Sequence, residues 1–211
     1  MPFSSVLGAS SVIKPGVCTS TTRPSLPYEG QLIYETDTDR VASYNGSAWV
    51  YTHSSGLIRV TSQSFTSSTT VSVNNCFTST YTNYTLKIGA TGTNGAASSI
   101  RLRASSVDDA TASSYRRQRF YINAGTFTPN DSTATTSLNL HFESSTRTYS
   151  TIDILGPALA NHTTFFGQSQ INGTEVLFTG GLHNVSTSYD GFSLIFTNAN
   201  SGFVDVYGWA Q

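Results

Sequence analysis

Four histidines, His53, His141, His162 and His183, stand in separate segments of the chain. No two share the spacing that closes a pair of imidazoles on one metal ion. Carboxylates gather in two places only, Asp108-Asp109 and the set Glu35, Asp37 and Asp39. A glycosidase needs two such groups flanking a sugar. A turn is the commoner meaning of an Asp- and Thr-rich run such as Thr36–Asp39. Calcium at Asp37 and Asp39 would need six or more oxygens around it. No nucleophile elbow, Walker loop or dinucleotide fingerprint occurs, and Gly92-Thr-Asn-Gly95 reads as a turn with no helix after it. Cys18 and Cys76 fit no metal or redox spacing. They read as two reduced thiols, with a single disulfide as the alternative. The expectation is a chain that is not an enzyme and carries no cofactor and no metal.

Arginine gives a stronger signal. Arg101, Arg103, Arg116, Arg117 and Arg119 are five of the eleven basic residues. In extended chain Arg101 and Arg103 share one face, and so do Arg117 and Arg119. If their two strands are neighbours, the four make a positive patch suited to an anionic glycan or a carboxylate-bearing partner. The alternative is ion pairing with Asp108, Asp109 or Glu143. Aromatics near expected loops, Phe165, Phe166 and Tyr189 among them, could stack on sugars, although core or interface packing is the commoner fate of each. Tyr189, beside the turn pair Asp190-Gly191, is the best surface candidate. The candidate ligand-binding set is therefore Arg101, Arg103, Arg117, Arg119 and Tyr189.

The elements that must position these residues read as strands. Charged residues make up 11% of the 211 and the net charge is -1, which gives no general attraction to nucleic acid or membrane. Ser and Thr together fill about 30%, far above ordinary usage. Thr, Tyr, Phe and Val suit a pleated, half-buried surface. No run approaches a transmembrane helix, and no signal peptide is read at the start. Membrane insertion and nucleic-acid partners are not expected.

Residues 1–30 hold four of the six prolines and read as an extended arm that docks through Phe3, Val6 and Leu7. Residues 31–55 read as a three-stranded meander closed by Asn45-Gly46, a strong hairpin signal. Its apolar face is expected to carry Leu32, Tyr34, Val41, Trp49 and Tyr51. Residues 56–211 hold short β-like runs at the spacing of an antiparallel sandwich. Turns are expected at Pro129-Asn-Asp131, Gly180-Gly181 and Asn200-Ser-Gly202, and a short helical turn at Ala158–Thr164. The last strand, Phe203–Trp209, should complete a sheet.

The run from Arg23 to Val50 contains Pro-Tyr-Glu-Gly-Gln-Leu-Ile-Tyr-Glu-Thr-Asp-Thr, then Tyr-Asn-Gly-Ser-Ala-Trp. It resembles a recurrent module of tailed-bacteriophage virion proteins. The C-terminal part, with Ser99-Ile-Arg-Leu-Arg, Tyr189-Asp-Gly-Phe and Ser201-Gly-Phe-Val-Asp-Val-Tyr-Gly-Trp, is similar to distal β-sandwich modules of phage structural proteins. The resemblance implies an all-β, jelly-roll-like fold, commonly trimeric, in a virion released by lysis. It implies a tail fibre or baseplate-associated fibre. The first part, with Phe3, Val6, Leu7, Tyr34 and Trp49, would contact other virion proteins, and the sandwich would bind host surface polysaccharide. A capsid decoration or head-fibre protein is the alternative.

Overall fold

The computed structural model describes residues 15–52, 56–93, 97–142, 144–171 and 175–210. Phe3, Val6, Leu7, His53 and Glu143 lie outside them. The chain divides into two units, residues 1–54 and 55–211. Every regular element among the described residues is a strand.

The first unit is a four-stranded sheet of β1 (Gly16–Cys18), β2 (Leu32–Glu35), β3 (Arg40–Tyr44) and β4 (Trp49–Tyr51). The expected meander is β2–β4. The addition is β1, which pairs parallel to β2, so the piece of the arm from Gly16 belongs to the sheet. Gly46 takes φ +91° at the β3–β4 turn, and Asn45 Oδ1 accepts from the Ser47 and Ala48 amides. The expected apolar face is split. Ile33, Glu35 and Ala42 are buried, and the register puts Trp49 and Tyr51 on their side. Leu32, Tyr34 and Val41 point the other way, and Leu32 is exposed. A one-residue difference in pleat parity moves a side chain to the opposite face, and composition alone did not fix that parity.

The acidic set is structural. Glu35 is fully buried and accepts from Arg23 Nε at 2.5 Å, Tyr51 Oη at 3.0 Å and Thr38 Oγ1 at 3.0 Å. Asp37 caps the backbone and hydroxyl of Ser20, and Asp39 accepts from Tyr34 Oη. The two aspartates hold different partners instead of converging on one cation.

The second unit contains β5 (Gly56–Val73), β6 (Asn83–Thr91), β7 (Ala97–Ala104), β8 (Val107–Asp108), β9 (Tyr115–Asn123), β10 (Thr126–Thr135), β11 (Leu138–Phe142), β12 (Thr148–Leu155), β13 (Thr163–Ile171), β14 (Glu175–His183) and β15 (Gly191–Ala210). They form one curled antiparallel sheet in the order β10-β9-β14-β13-β12-β6-β15-β7-β11, with β5 also on β15 and β8 on β7. Strand β15 turns the corner. Its first residues pair with β7 and its last with β6, and its register against β5 shifts between Ile195 and Gly202. A bulged strand that serves two layers is how a sheet folds over into a sandwich. The far edge, β11, then packs across onto β13, β9 and β14. The antiparallel β-sandwich expected from the sequence is the fold. Its core holds Tyr84, Leu86, Ile88, Ile100, Leu102, Leu138, Ile152, Phe165, Phe192 and Val206, each contributing about 1.5–3 kcal/mol by leaving water.

Three expected turns are strand. Pro129 lies within β10, opposite Phe120. That is allowed because β10 is an edge strand, where a missing N–H breaks no ladder bond on the open side. Gly180-Gly181 lies within β14. A Cβ on Gly181 would stand 2.6 Å from Leu138 Cδ1, so the glycine lets β11 close over β14. Asn200-Ser-Gly202 is the corner of β15, where a Cβ on Gly202 would meet the Gly89 carbonyl at 1.9 Å. The helical turn expected at Ala158–Thr164 is replaced by irregular chain that enters β13 at Thr163.

Candidate functional site

Strands β10, β9, β14, β13 and β12 present one face to the core and the other to solvent. On β9, Tyr115, Arg117, Arg119 and Tyr121 turn inward while Gln118, Phe120 and Ile122 turn outward, as the alternating burial shows. The register then lines up rows across the outer face. One row runs Lys87, Thr151, Gln168, Phe178, Phe120, Pro129. The next runs Thr85, Asp153, Phe166, Gly180, Gln118.

Between these rows lies an open groove of about 780 Å³, lined by Phe120, Phe127, Phe166, Phe178, Pro129, Gln118, Gln168, Thr151 and Asp153. The four phenylalanines are between 36% and 58% exposed. Phe120 stacks on Phe178 at 5.0 Å and lies 5.2 Å from Phe127. At the β12 end, Trp209 Nε1 donates to Thr85 Oγ1 at 2.8 Å and Thr85 Oγ1 donates to Asp153 Oδ1 at 2.6 Å. This relay fixes the carboxylate and leaves its second oxygen as an acceptor. Lys87 Nζ donates to Thr151 Oγ1 at 3.0 Å. Apolar walls with a few fixed polar groups are the usual make-up of a ligand site.

The arginines do not form one patch. Strands β7 and β9 are not neighbours. Arg103 is consumed by an ion pair with Asp108 and by hydrogen bonds to Ser193 Oγ, Asn74 Oδ1 and the Ser106 carbonyl. Arg101 donates to the carbonyl and hydroxyl of Thr136. Arg117 and Arg119 share Asn130 Oδ1, and Arg119 also reaches Asn139 on β11. Burial lowers the pKa of both.

Tyr189 is 1% exposed and is not the surface residue that its turn suggested. The Asp190 amide donates to the Arg103 carbonyl, and the Cys76 and Phe77 amides donate to the Asp190 carbonyl. These bonds draw the segment into the sandwich. Tyr189 Oη donates to Asp109 at 2.5 Å and lies 2.6 Å from His183 Nε2, which is 3.1 Å from Asp109. Tyr115 stacks on His183 at 4.2 Å. In this network His183 and Tyr189 are buried, and the Asp109 side chain is 14% exposed. Among the described residues, no group of three or more His, Cys, Asp or Glu is placed to hold a metal.

Of the residues around the groove, Phe166 and Arg119 were legible as candidates. The missed signal is in β9 and β14, where Phe120, Ile122, Val176 and Phe178 occupy the parity opposite to the core positions Tyr115 and Leu177. A strand with bulky apolar residues on its solvent-facing parity has a second surface to cover.

A scan against protein-family models gives no match, and a search of curated proteins gives none either.

Proposed function

We propose that this chain is a non-catalytic component of a tailed-phage particle, a trimeric fibre-type protein that holds host surface glycan in the groove on β9, β14 and β13. The observation that carries this reading is the groove itself, in which exposed phenylalanines stand beside the side chains of Gln118, Gln168 and Asp153. A sugar ring has apolar C–H faces and a rim of hydroxyls. The negative face of an aromatic ring attracts the first, and the Gln118 and Gln168 amides and the Asp153 carboxylate can pair with the second. The Arg23–Val50 run supports the phage context by its resemblance to virion modules. This reading assigns binding to the outer sheet face in place of the arginines.

The test is an array of bacterial surface polysaccharides probed with labelled wild-type protein and with Phe178→Thr. Retention by the wild type that is lost in the variant is the expected result. Retention of no polysaccharide would sink the reading.

One observation favours a second reading. The row Phe127, Ile122, Val176 is exposed and carries no charge, as a surface packed on another protein would be. A capsid decoration protein would use the face in that way. Labelled-antibody electron microscopy of intact particles separates the two, with label at the tail for the first and over the head for the second.

A further inference from the structure

Resting on the glycan reading above, we propose that the groove selects a neutral glycan with acetamido-bearing units, seating the acetamido methyl in the dimple over Gly180. Gly180 stands at the centre of its row, opposite Phe166 on one side and Gln118 on the other. It is the one position in that row between Asp153 and Gln118 with no side chain. A Cβ built there would find its nearest neighbour, Phe166 Cε1, only at 4.0 Å. The space above Gly180 is therefore open, with an aromatic edge on one side. Gly181, by contrast, is required by packing against Leu138. At Gly180 no such clash would arise, which leaves the gap free for a bound group.

The groups around the dimple suit an acetamide. The Gln118 side chain is an amide with both donors and an acceptor, so it can pair with the N–H and C=O of a second amide while the methyl rests against Phe166. Gln168 offers the same chemistry one row away, beside Phe178.

Charge argues against an acidic glycan. Asp153 lines the groove with its carboxylate, and Lys87 stands at the same end, outside the lining, with its Nζ engaged by Thr151 Oγ1. The Arg119 guanidinium is engaged with Asn130 and Asn139. A carboxylate on the ligand would lie beside apolar rings with the like charge of Asp153 at one end, an arrangement that disfavours it. The groove crosses five strands, about 19 Å at the ordinary strand spacing, so it takes several sugar units.

The experiment uses trimers of N-acetylglucosamine and N-acetylgalactosamine, matched trimers of glucose and galactose, and a trimer of galacturonic acid. Titration calorimetry is run on the full chain and on Gly180→Ala. The added methyl meets only ordinary van der Waals contact, so the variant should melt within a few degrees of the wild type. An N-acetylated trimer should bind at least about tenfold more tightly than its unsubstituted partner and the acidic trimer. Gly180→Ala should remove that preference, so that substituted and unsubstituted trimers bind the variant alike. Equal binding of substituted and unsubstituted trimers, stronger binding of galacturonate, or a preference that survives in Gly180→Ala would overturn the proposal and leave the glycan reading standing. Binding of none of the five, together with an empty polysaccharide array, would remove both.

Discussion

Phe120 and Phe178 stack across neighbouring strands on the solvent side of the sheet, with ring centroids 5.0 Å apart and planes 24° from parallel. Each is more than a third exposed, so the pair is a platform and not a core element. Stacking of this kind contributes about 0.5–1.5 kcal/mol beyond area burial. Phe120→Thr or Phe178→Thr keeps a residue that favours strands. Each should cost about 1 kcal/mol of stability, seen as a small fall in the urea midpoint, while polysaccharide retention falls by tenfold or more. A variant that binds as the wild type would place the ligand elsewhere.

Leu138 and Gly181 should prove energetically coupled. Leu138 is fully buried, and its truncation to Ala should cost about 2–5 kcal/mol. Gly181→Ala would force a methyl to 2.6 Å from Leu138 Cδ1 and 3.1 Å from the Arg116 carbonyl, a small-to-large clash costing about 1–3 kcal/mol. In the double variant the shortened Leu138 makes room, so the combined loss should be smaller than the sum by at least about 0.5 kcal/mol. Strict additivity in urea melts would show that β11 does not close over β14 through this contact.

These two sites also mark how far the sequence could be read. Strands β6 and β12 were legible because their apolar residues alternate toward a single core. Gly180-Gly181 and Asn200-Ser-Gly202 carried the local signature of turns, yet each lies inside a strand. The cause is tertiary: Leu138 and the Gly89 backbone come too close for a side chain at Gly181 and Gly202. Pro129 misled for a related reason, since only the strand order tells that β10 is an edge. The site was harder still. Phe120 and Phe178 could have been core residues, and only the curl of the sheet decides which of two apolar faces meets solvent. Tyr189 shows the converse, a turn-flanked aromatic that the bonds of Asp190 pull inside.

The buried network of His183, Asp109 and Tyr189 should weaken the fold in acid. Burial holds the His183 pKa below its ordinary value of 6.5 against the opposing pull of Asp109. Burial pushes Asp109 up, but hydrogen bonds from Thr111, Tyr189 and His183 outweigh it and hold the carboxyl at about 2, below its usual 3.8. Both groups bind a proton less readily in the folded state than in the unfolded one, so stability must fall as pH falls. The His183 share is whole above its unfolded value and is lost as pH drops below it. The Asp109 share is lost only as pH drops from about 4 toward 2. Urea midpoints should therefore decline in two stages, and His183→Gln should flatten the first while leaving the second. A midpoint constant between about pH 7 and pH 5 would contradict the assignment of His183.

The second half of β15 should be indispensable. Residues from Ser201 to Gly208 pair with β6, and the same stretch pairs with β5 on its other edge. Val204 and Val206 are fully buried, so this stretch supplies both ladder bonds and core. Ending the chain after Gly202 would strip two strands of a partner at once and open the core between them. Unpaired edges of that kind template association with other chains. The truncated protein should aggregate on expression and give no cooperative melt. Val206→Ala removes two methyl groups from the core but leaves the ladder intact, so it should cost only about 2–3 kcal/mol and still unfold cooperatively. A truncated chain with a sharp thermal transition close to that of the wild type would mean that β5 and β6 do not depend on β15 to hold the sandwich closed.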